Sequence, residues 1–222
     1  MASAIAREGY PFLIFSLITA IILYIISSMA QGHWLIIWRA LSVIVFLFAL
    51  FTAYFFRDPE RIVPYDDNAL LSPADGTIID IREVEEPLYL KENVKRVSIF
   101  MSPFNVHINR TPLTGVIDFV HYHPGKFLSA FKEKASLDNE SILIGIRDSK
   151  GVQKIAVKLI AGLIARRIVF NKKPGDALRQ GERMGMIRFG SRAELFCPLS
   201  TEICIKNGDT VNGGLTVIGI LK

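Results

Sequence analysis

Two apolar runs, residues 10–30 and 34–56, leave this chain few choices of where to fold. The first carries no charge and is long enough to cross a bilayer as a helix. The second is interrupted only by Arg39, near enough to its start to snorkel to an interface, where Trp34, Trp38 and Tyr54 are also at home. Gln31, Gly32 and His33 form a short polar turn between them, so the expectation is a transmembrane helical hairpin. Arg7 precedes it, and Arg57 and Arg61 follow it. The positive-inside rule then puts both ends, and the domain that follows, on the cytoplasmic side of the cell membrane. Two alternatives use the same residues. Ser28-Met29-Ala30 resembles a signal-peptidase site, although the apolar run is longer than a usual signal core. A hairpin that enters one leaflet and returns is the other.

The stretch Arg57-Asp-Pro-Glu-Arg-Ile-Val-Pro64 is charged and punctuated by proline, and it marks a boundary between a membrane hairpin, 1–56, and a second domain, 57–222. Beyond it the texture changes to short β-rich runs separated by turns: 77–84, 94–101, 115–121, 142–148, 155–164, 166–170, 182–189, 194–197, 200–205 and 214–221. This spacing predicts a mainly β (α+β) domain with antiparallel strands. Residues 127–135 are the best short-helix candidate. Pro174-Gly-Asp-Ala-Leu-Arg-Gln-Gly-Glu-Arg183 is similar to the loop before a central strand in lipoyl- and biotinyl-type sandwich domains. Lys206-Asn-Gly-Asp-Thr-Val-Asn-Gly-Gly214 reads as a second copy of its Gly-Asp turn, a weak internal repeat.

The net charge is +5, and residues 57–222 hold 24 basic and 20 acidic side chains. A mildly basic domain beside a membrane suits an anionic lipid surface. No motif combines stacking aromatics with basic residues, so a nucleic-acid partner is not expected. Cys197 and Cys204 match no zinc spacing, and their apolar flanks predict buried thiols.

The chemistry centres on Phe189-Gly190-Ser191-Arg192, which reads as strand, turn, strand. A tight hairpin turn is one reading. The other is reactive. Gly190 has no Cβ, so its carbonyl is open to close approach. Attack by Ser191 Oγ would convert the amide to an ester. Elimination would then cleave the chain and leave a dehydroalanine at 191 that hydrolyses to a pyruvoyl carbonyl. Elsewhere, His107 stands in a polar run with Asn105, Asn109 and Arg110, where alternation would put 105, 107 and 109 on one strand face. It is either an ordinary strand histidine or an acid–base group. Asp75, before Gly76, is a turn aspartate unless it has a partner. His121 and His123 alternate like a metal pair but lack a third ligand, so no metal is expected.

Four stretches decide between these readings. Ser72-Pro-Ala-Asp-Gly76, Met101-Ser-Pro-Phe-Asn-Val-His-Ile-Asn-Arg110, His123-Pro-Gly-Lys-Phe127 with Asn139-Glu140, and Phe189-Gly-Ser-Arg192 together resemble the phosphatidylserine decarboxylase family in its short form. The resemblance covers about residues 57–222. It implies a proenzyme that cuts itself between Gly190 and Ser191 into 1–190 and 191–222, two chains that stay docked. It implies a covalent pyruvoyl cofactor (pyruvate made from Ser191) that forms a Schiff base with a phosphatidylserine-type lipid and yields carbon dioxide and phosphatidylethanolamine. By the same resemblance His107 is the acid, and Asp75 orients or charges a histidine during cleavage. Asn105, Arg110, His123 and Lys126 fall at the substrate pocket. Longer family members have a second histidine where Arg110 stands, which leaves His107 alone in its motif and suits Arg110 to a phosphate or carboxylate. The alternatives are a related serine lipid or a soluble amino acid as substrate, or a membrane-anchored, lipoyl-like scaffold that is not an enzyme. Oligomeric state is open, a homo-oligomer included.

Overall fold

The computed structural model describes residues 4–126, 136, 138–162, 167–188 and 191–222. It divides into two compact units, Met1–Glu60 and Arg61–Lys222.

In the first unit, α1 (Tyr10–Met29) has proline in its first turn, and α2 (His33–Phe55) follows after a tight connection at Gly32. The Ala6 N–H donates to the Phe56 carbonyl at 2.7 Å and the Asp58 N–H to the Ala4 carbonyl at 2.9 Å, so the helices run antiparallel. Apart from Phe55 at the end of α2, their buried positions are small: Ser16, Ala20, Ser27, Ser42, Ala49 and Thr52. Small residues let helix backbones approach, and the Ser42 hydroxyl donates across the pair to the Ala20 carbonyl at 2.8 Å. Ile14, Phe15, Ile22, Ile36 and Leu47 are exposed. Both helices are long and apolar enough to cross a membrane, and the pair has the form of a transmembrane hairpin.

The second unit is mainly β. Its strands in chain order are β1 (Ala69–Leu71), β2 (Gly76–Glu86), β3 (Glu92–Met101), β4 (Ile108–Arg110), β5 (Gly115–His123), β6 (Ser141–Asp148), β7 (Lys154–Ile160), β8 (Ile168–Val169), β9 (Ala177–Leu178), β10 (Arg183–Ile187), β11 (Ser191–Pro198), β12 (Glu202–Ile203), β13 (Thr210–Val211) and β14 (Val217–Ile220). An eight-stranded antiparallel sheet runs β13-β2-β3-β11-β7-β6-β5-β9. Two three-stranded sheets, β1-β14-β12 and β4-β10-β8, accompany it among the described residues. The large sheet curls around one core, where its inward residues Val97, Ile99, Ile144, Val157 and Leu195 meet Leu70, Ile187 and Ile218 from the small sheets.

The strand orders reveal an internal repeat. Exchanging β1, β2, β3, β11, β12, β13 and β14 for β4, β5, β6, β7, β8, β9 and β10 maps each sheet order onto its counterpart. The backbone bonds match as well. Gly208 N–H donates to the Ile78 carbonyl and Ile78 N–H to that of Asp209, at 2.8 and 2.9 Å; Gly175, Ile117 and Asp176 repeat this at 2.8 and 3.0 Å. Gly175 and Gly208 both have positive φ, 95° and 92°, a conformation that favours glycine. The Gly-Asp repeat seen in the sequence is therefore part of a duplication of the whole β unit. The second half, about residues 108–187, is inserted between β3 and β11 of the first.

This arrangement corrects three expectations. The strands on either side of Phe189-Gly190 do not form a hairpin: β10 pairs with β4 and β8, whereas β11 pairs with β3 and β7. Asn105 is not in a strand, because its side chain accepts from the Ser102 backbone and hydroxyl, both at 2.8 Å, and closes a turn. Cys204 is exposed; only Cys197 is buried, where loss of solvent raises its thiol to about 11. The helix expected at 127–135 lies outside the described residues.

Gly76 and Gly115 are equivalent in the two halves. A Cβ at either would overlap the backbone carbonyl of the neighbouring strand, at Phe100 and Arg147 respectively. Backbone cannot yield as a side-chain end can, so Gly115→Ala and Gly76→Ala should each lower unfolding stability by about 3 kcal/mol, the upper range for overpacking. Denaturant titration of each variant in detergent checks this.

Candidate active site

Ser191 is the first residue of β11, the strand held between β3 and β7 in the middle of the large sheet. It is fully buried and stands opposite Met101, the last residue of β3. Its hydroxyl donates to the Met101 sulfur at 3.1 Å. A thioether is a weak acceptor, so it orients the hydroxyl without taking its proton. The Asn109 amide reaches the same sulfur at 3.8 Å and the Pro73 carbonyl at 3.5 Å. Gly190, the other residue of the expected scissile bond, lies outside the described residues, as does Phe189.

His107 immediately precedes β4 and is fully buried. Its Nδ1 lies 2.9 Å from the Asn105 carbonyl. A carbonyl can only accept, so Nδ1 carries a hydrogen in this contact. The turn at Asn105 thus fixes the tautomer of His107, which is a different use of Asn105 from substrate contact.

Asp75 is buried with both carboxylate oxygens engaged. Arg61 holds them at 2.6 and 2.8 Å, and the Gly213 N–H donates to Oδ1 at 2.7 Å. Among the described residues Arg61 and Gly213 are the partners of the carboxylate, and His107 is not one of them. The turn that carries Asp75 nevertheless supports the histidine strand, because the Arg110 N–H donates to the Pro73 carbonyl at 2.9 Å. The Arg110 guanidinium donates to the Gly181 carbonyl at 3.1 Å.

The other face of the large sheet is chemically different. Alternation along β11 turns Arg192, Glu194 and Phe196 away from Ser191. Arg192 and Glu194 are buried and paired at 2.8 Å. Arg192 also donates to the Ser98 hydroxyl at 2.8 Å, and Ser136 donates to Glu194 at 2.9 Å. Arg96 lies 3.9 Å from Glu194 and bonds Asp80 at 2.9 Å. Burial holds the Lys158 ammonium below the usual lysine range, partly offset by Glu194, and it donates to the Ser136 carbonyl at 2.6 Å. Arg96, Ser136, Lys158 and Glu194 line a cavity of about 370 Å³, with Val84, Leu88, Leu143 and Phe196 and with His121 and His123. His123 is therefore on the opposite face of the sheet from Ser191. Lys126 acts through its backbone: it accepts from Glu140 at 3.1 Å and donates to Asp138 at 2.6 Å. Asn139 ties this loop to the Ala161 carbonyl at 2.7 Å. Among the described residues no group of His, Cys, Asp and Glu could hold a metal ion.

Comparison with known proteins gives this arrangement a family. The phosphatidylserine decarboxylase family model matches residues 48–219. The chain belongs to the phosphatidylserine decarboxylase family. A phosphatidylserine decarboxylase proenzyme from Carboxydothermus hydrogenoformans is 48% identical over 82% of this chain and 85% of its own. Proenzymes of the same name from Magnetococcus marinus and Desulfotalea psychrophila are 41% and 43% identical, over 98% and 97% of this chain and 95% of each relative.

Met101, Arg61 and the Arg96–Lys158–Arg192–Glu194 cluster were not singled out from sequence. The one available signal was charge at alternate positions, Arg192 and Glu194, in a strand otherwise apolar. Removing one member of a buried charge cluster strands the others. Glu194→Ala should therefore cost about 3–5 kcal/mol of stability, whereas Glu202→Ala, at an exposed pair, should cost less than about 1 kcal/mol. Paired denaturation curves test the contrast.

Proposed function

We propose that this chain is a membrane-held proenzyme that cleaves itself between Gly190 and Ser191 and then decarboxylates phosphatidylserine to phosphatidylethanolamine. The observation that carries the reading is Ser191 itself: a buried serine opening a central strand, at the point where the chain passes between sheets, in a family whose relatives are named as decarboxylase proenzymes. Ladder bonds hold β11 to β3 from Ser191 to Pro198 and to β7 from Arg192 to Phe196, so a break before Ser191 leaves residues 191–222 docked. The small chain also retains β13 against β2 and β14 against β1.

Self-cleavage begins with Ser191 Oγ adding to the Gly190 carbonyl, which replaces the amide by an ester. Loss of the Ser191 α-proton then expels the Gly190 carboxylate, and hydrolysis with loss of ammonia leaves the carbonyl. Ser191 alone would carry the pyruvoyl group. Its first-strand position fits the need, since pairing with β3 holds the backbone from residue 191 onward. That group supplies a carbonyl that condenses with the substrate amine and accepts the electron pair released with carbon dioxide. His107, its tautomer set by Asn105, delivers the proton that replaces the carboxylate on the substrate carbon, through Nε2. Arg110, anchored at Gly181, contributes positive charge toward the phosphate. Strong pairing with the departing carboxylate would stabilise the ground state and oppose its loss. The N-terminal hairpin keeps the enzyme at the cytoplasmic face, next to a substrate that need not leave the bilayer.

Denaturing intact-mass measurement should find two chains, 1–190 and 191–222, the smaller opening in a pyruvoyl group. Ser191→Ala should remain a single chain without activity; an active Ser191→Ala protein removes the pyruvoyl reading. Release of carbon dioxide from phosphatidylserine vesicles, but not from free serine, separates the lipid enzyme from an amino-acid decarboxylase. In His107→Ala, turnover of already cleaved enzyme should fall by roughly 10²–10⁴-fold, the range for losing a general acid, and full turnover would remove the acid role.

A further inference from the structure

Asp75 has a counterpart in the second half of the repeat, and the comparison isolates what its carboxylate does. Ser72-Pro-Ala-Asp-Gly76 corresponds to Thr111-Pro-Leu-Thr-Gly115. The Ser72 hydroxyl donates to the Ala74 carbonyl at 2.7 Å, and the Thr111 hydroxyl to that of Leu113 at 3.0 Å. Gly214 N–H donates to the Ser72 carbonyl at 2.8 Å, and Gly181 N–H to that of Thr111 at 2.9 Å. Arg110 N–H meets the Pro73 carbonyl, and Leu71 N–H that of Pro112, both at 2.9 Å. In the first half the Asp75 carboxylate accepts from the Gly213 N–H at 2.7 Å; in the second the Thr114 hydroxyl accepts from the Gln180 N–H at 3.1 Å. A neutral hydroxyl is therefore enough to close this loop. What the carboxylate adds is Arg61.

Arg61 is the first residue of the β unit, and its side chain is 6% exposed. It grips both oxygens of Asp75 and also donates to the Gly213 carbonyl. Gly213 lies within 191–222 and Arg61 and Asp75 within 1–190, so the clamp crosses between the two expected chains. The same turn holds β4 through Pro73, and β4 carries Asn109, whose amide meets the sulfur that also accepts from Ser191.

We propose that Arg61 is a positioning residue for self-cleavage: its fork on Asp75 and Gly213 fixes the 72–76 turn against the 213–214 loop and so registers His107 and Asn109 against Ser191. Asp75 then acts as the anchor of this clamp, holding geometry and exchanging no proton. The proposal rests on the self-cleaving reading above.

The test follows conversion of full-length chain to 1–190 and 191–222 by denaturing mass spectrometry, in membranes, across pH 6–9. It compares wild type with Arg61→Ala, Arg61→Lys, Asp75→Thr and the double variant Arg61→Ala/Asp75→Thr. Asp75→Thr copies the loop closure of the second half and deletes only the clamp. Arg61→Ala and Asp75→Thr should slow cleavage to similar extents, roughly 10- to 100-fold, as a misplacement of reacting groups does. The double variant should be no slower than either single, because both break one interaction. The pH profile should keep its wild-type shape, and methylguanidinium should restore cleavage in Arg61→Ala. Lysine, with one point charge and no fork, should fall between arginine and alanine. Wild-type cleavage in Arg61→Ala, multiplicative slowing in the double variant, or a pH profile reshaped by Asp75→Thr overturns the proposal. If Arg61→Ala does not fold, Arg61→Lys decides: slowed cleavage supports the clamp and a wild-type rate overturns it. A wild-type chain that stays whole, without a carbonyl at 191, instead sinks the self-cleaving reading beneath it.

Discussion

The ladder between β3 and β11 is the interaction on which the β unit depends. It runs from Ser191 opposite Met101 to Pro198 opposite Val94, in the centre of the largest sheet. In the second half of the repeat the equivalent strands, β6 and β7, are joined by the short connection 149–153. In the first half the whole second half stands in place of that connection. The chain leaves β3 after Met101, builds β4 to β10, and returns at Ser191, so the two ends of the insertion meet as cross-strand neighbours. A cut just before Ser191 leaves β11 with partners on both edges. Cleavage and retention of structure are compatible because of this topology.

Strand alternation then gives the two faces of β11 separate tasks. Ser191, Ala193, Leu195 and Cys197 face the core, and Ser191 alone among them carries a reactive group in a setting of Met101 and Asn109. Arg192 and Glu194 face outward into a buried charge cluster with Ser98, Ser136, Arg96 and Lys158. Such clusters contribute little net stability once desolvation is counted, but they are costly to break and specify one register. A one-residue slip of β11 would bury these charges in the apolar core and bring Ser191 to the wrong face. The cluster thus protects the placement of the serine without touching it.

Much of this was legible in advance. Long hydrophobic runs, the first without charge and the second broken only by Arg39, announced α1 and α2. Alternation and turn residues announced the long strands β2, β3, β5, β6 and β7 nearly to their ends. The short strands β1, β9 and β13 were missed, because two or three residues hold no period; their pairing comes from partners far away in sequence. Asn105 was misread for a related reason. Its alternation with His107 is real as spacing, but the Ser102 turn captured its side chain and ended the strand pattern there. Arg61 looked like a solvated linker charge following a membrane span, and nothing local reveals that Asp75 and Gly213 bury it.

The sequence by itself determined the local matters: which segments are apolar enough for a membrane, which runs alternate, where glycine and proline turn the chain, and which family motifs the chain carries. Those depend on neighbours a few residues apart. Only the tertiary structure decided that the strands flanking residues 189–190 belong to different sheets, that one half of a duplication is inserted within the other, and that Asp75 answers to Arg61. Each of these is a pairing across tens to more than a hundred residues, chosen because it satisfies buried backbone groups and charges that no local conformation could satisfy.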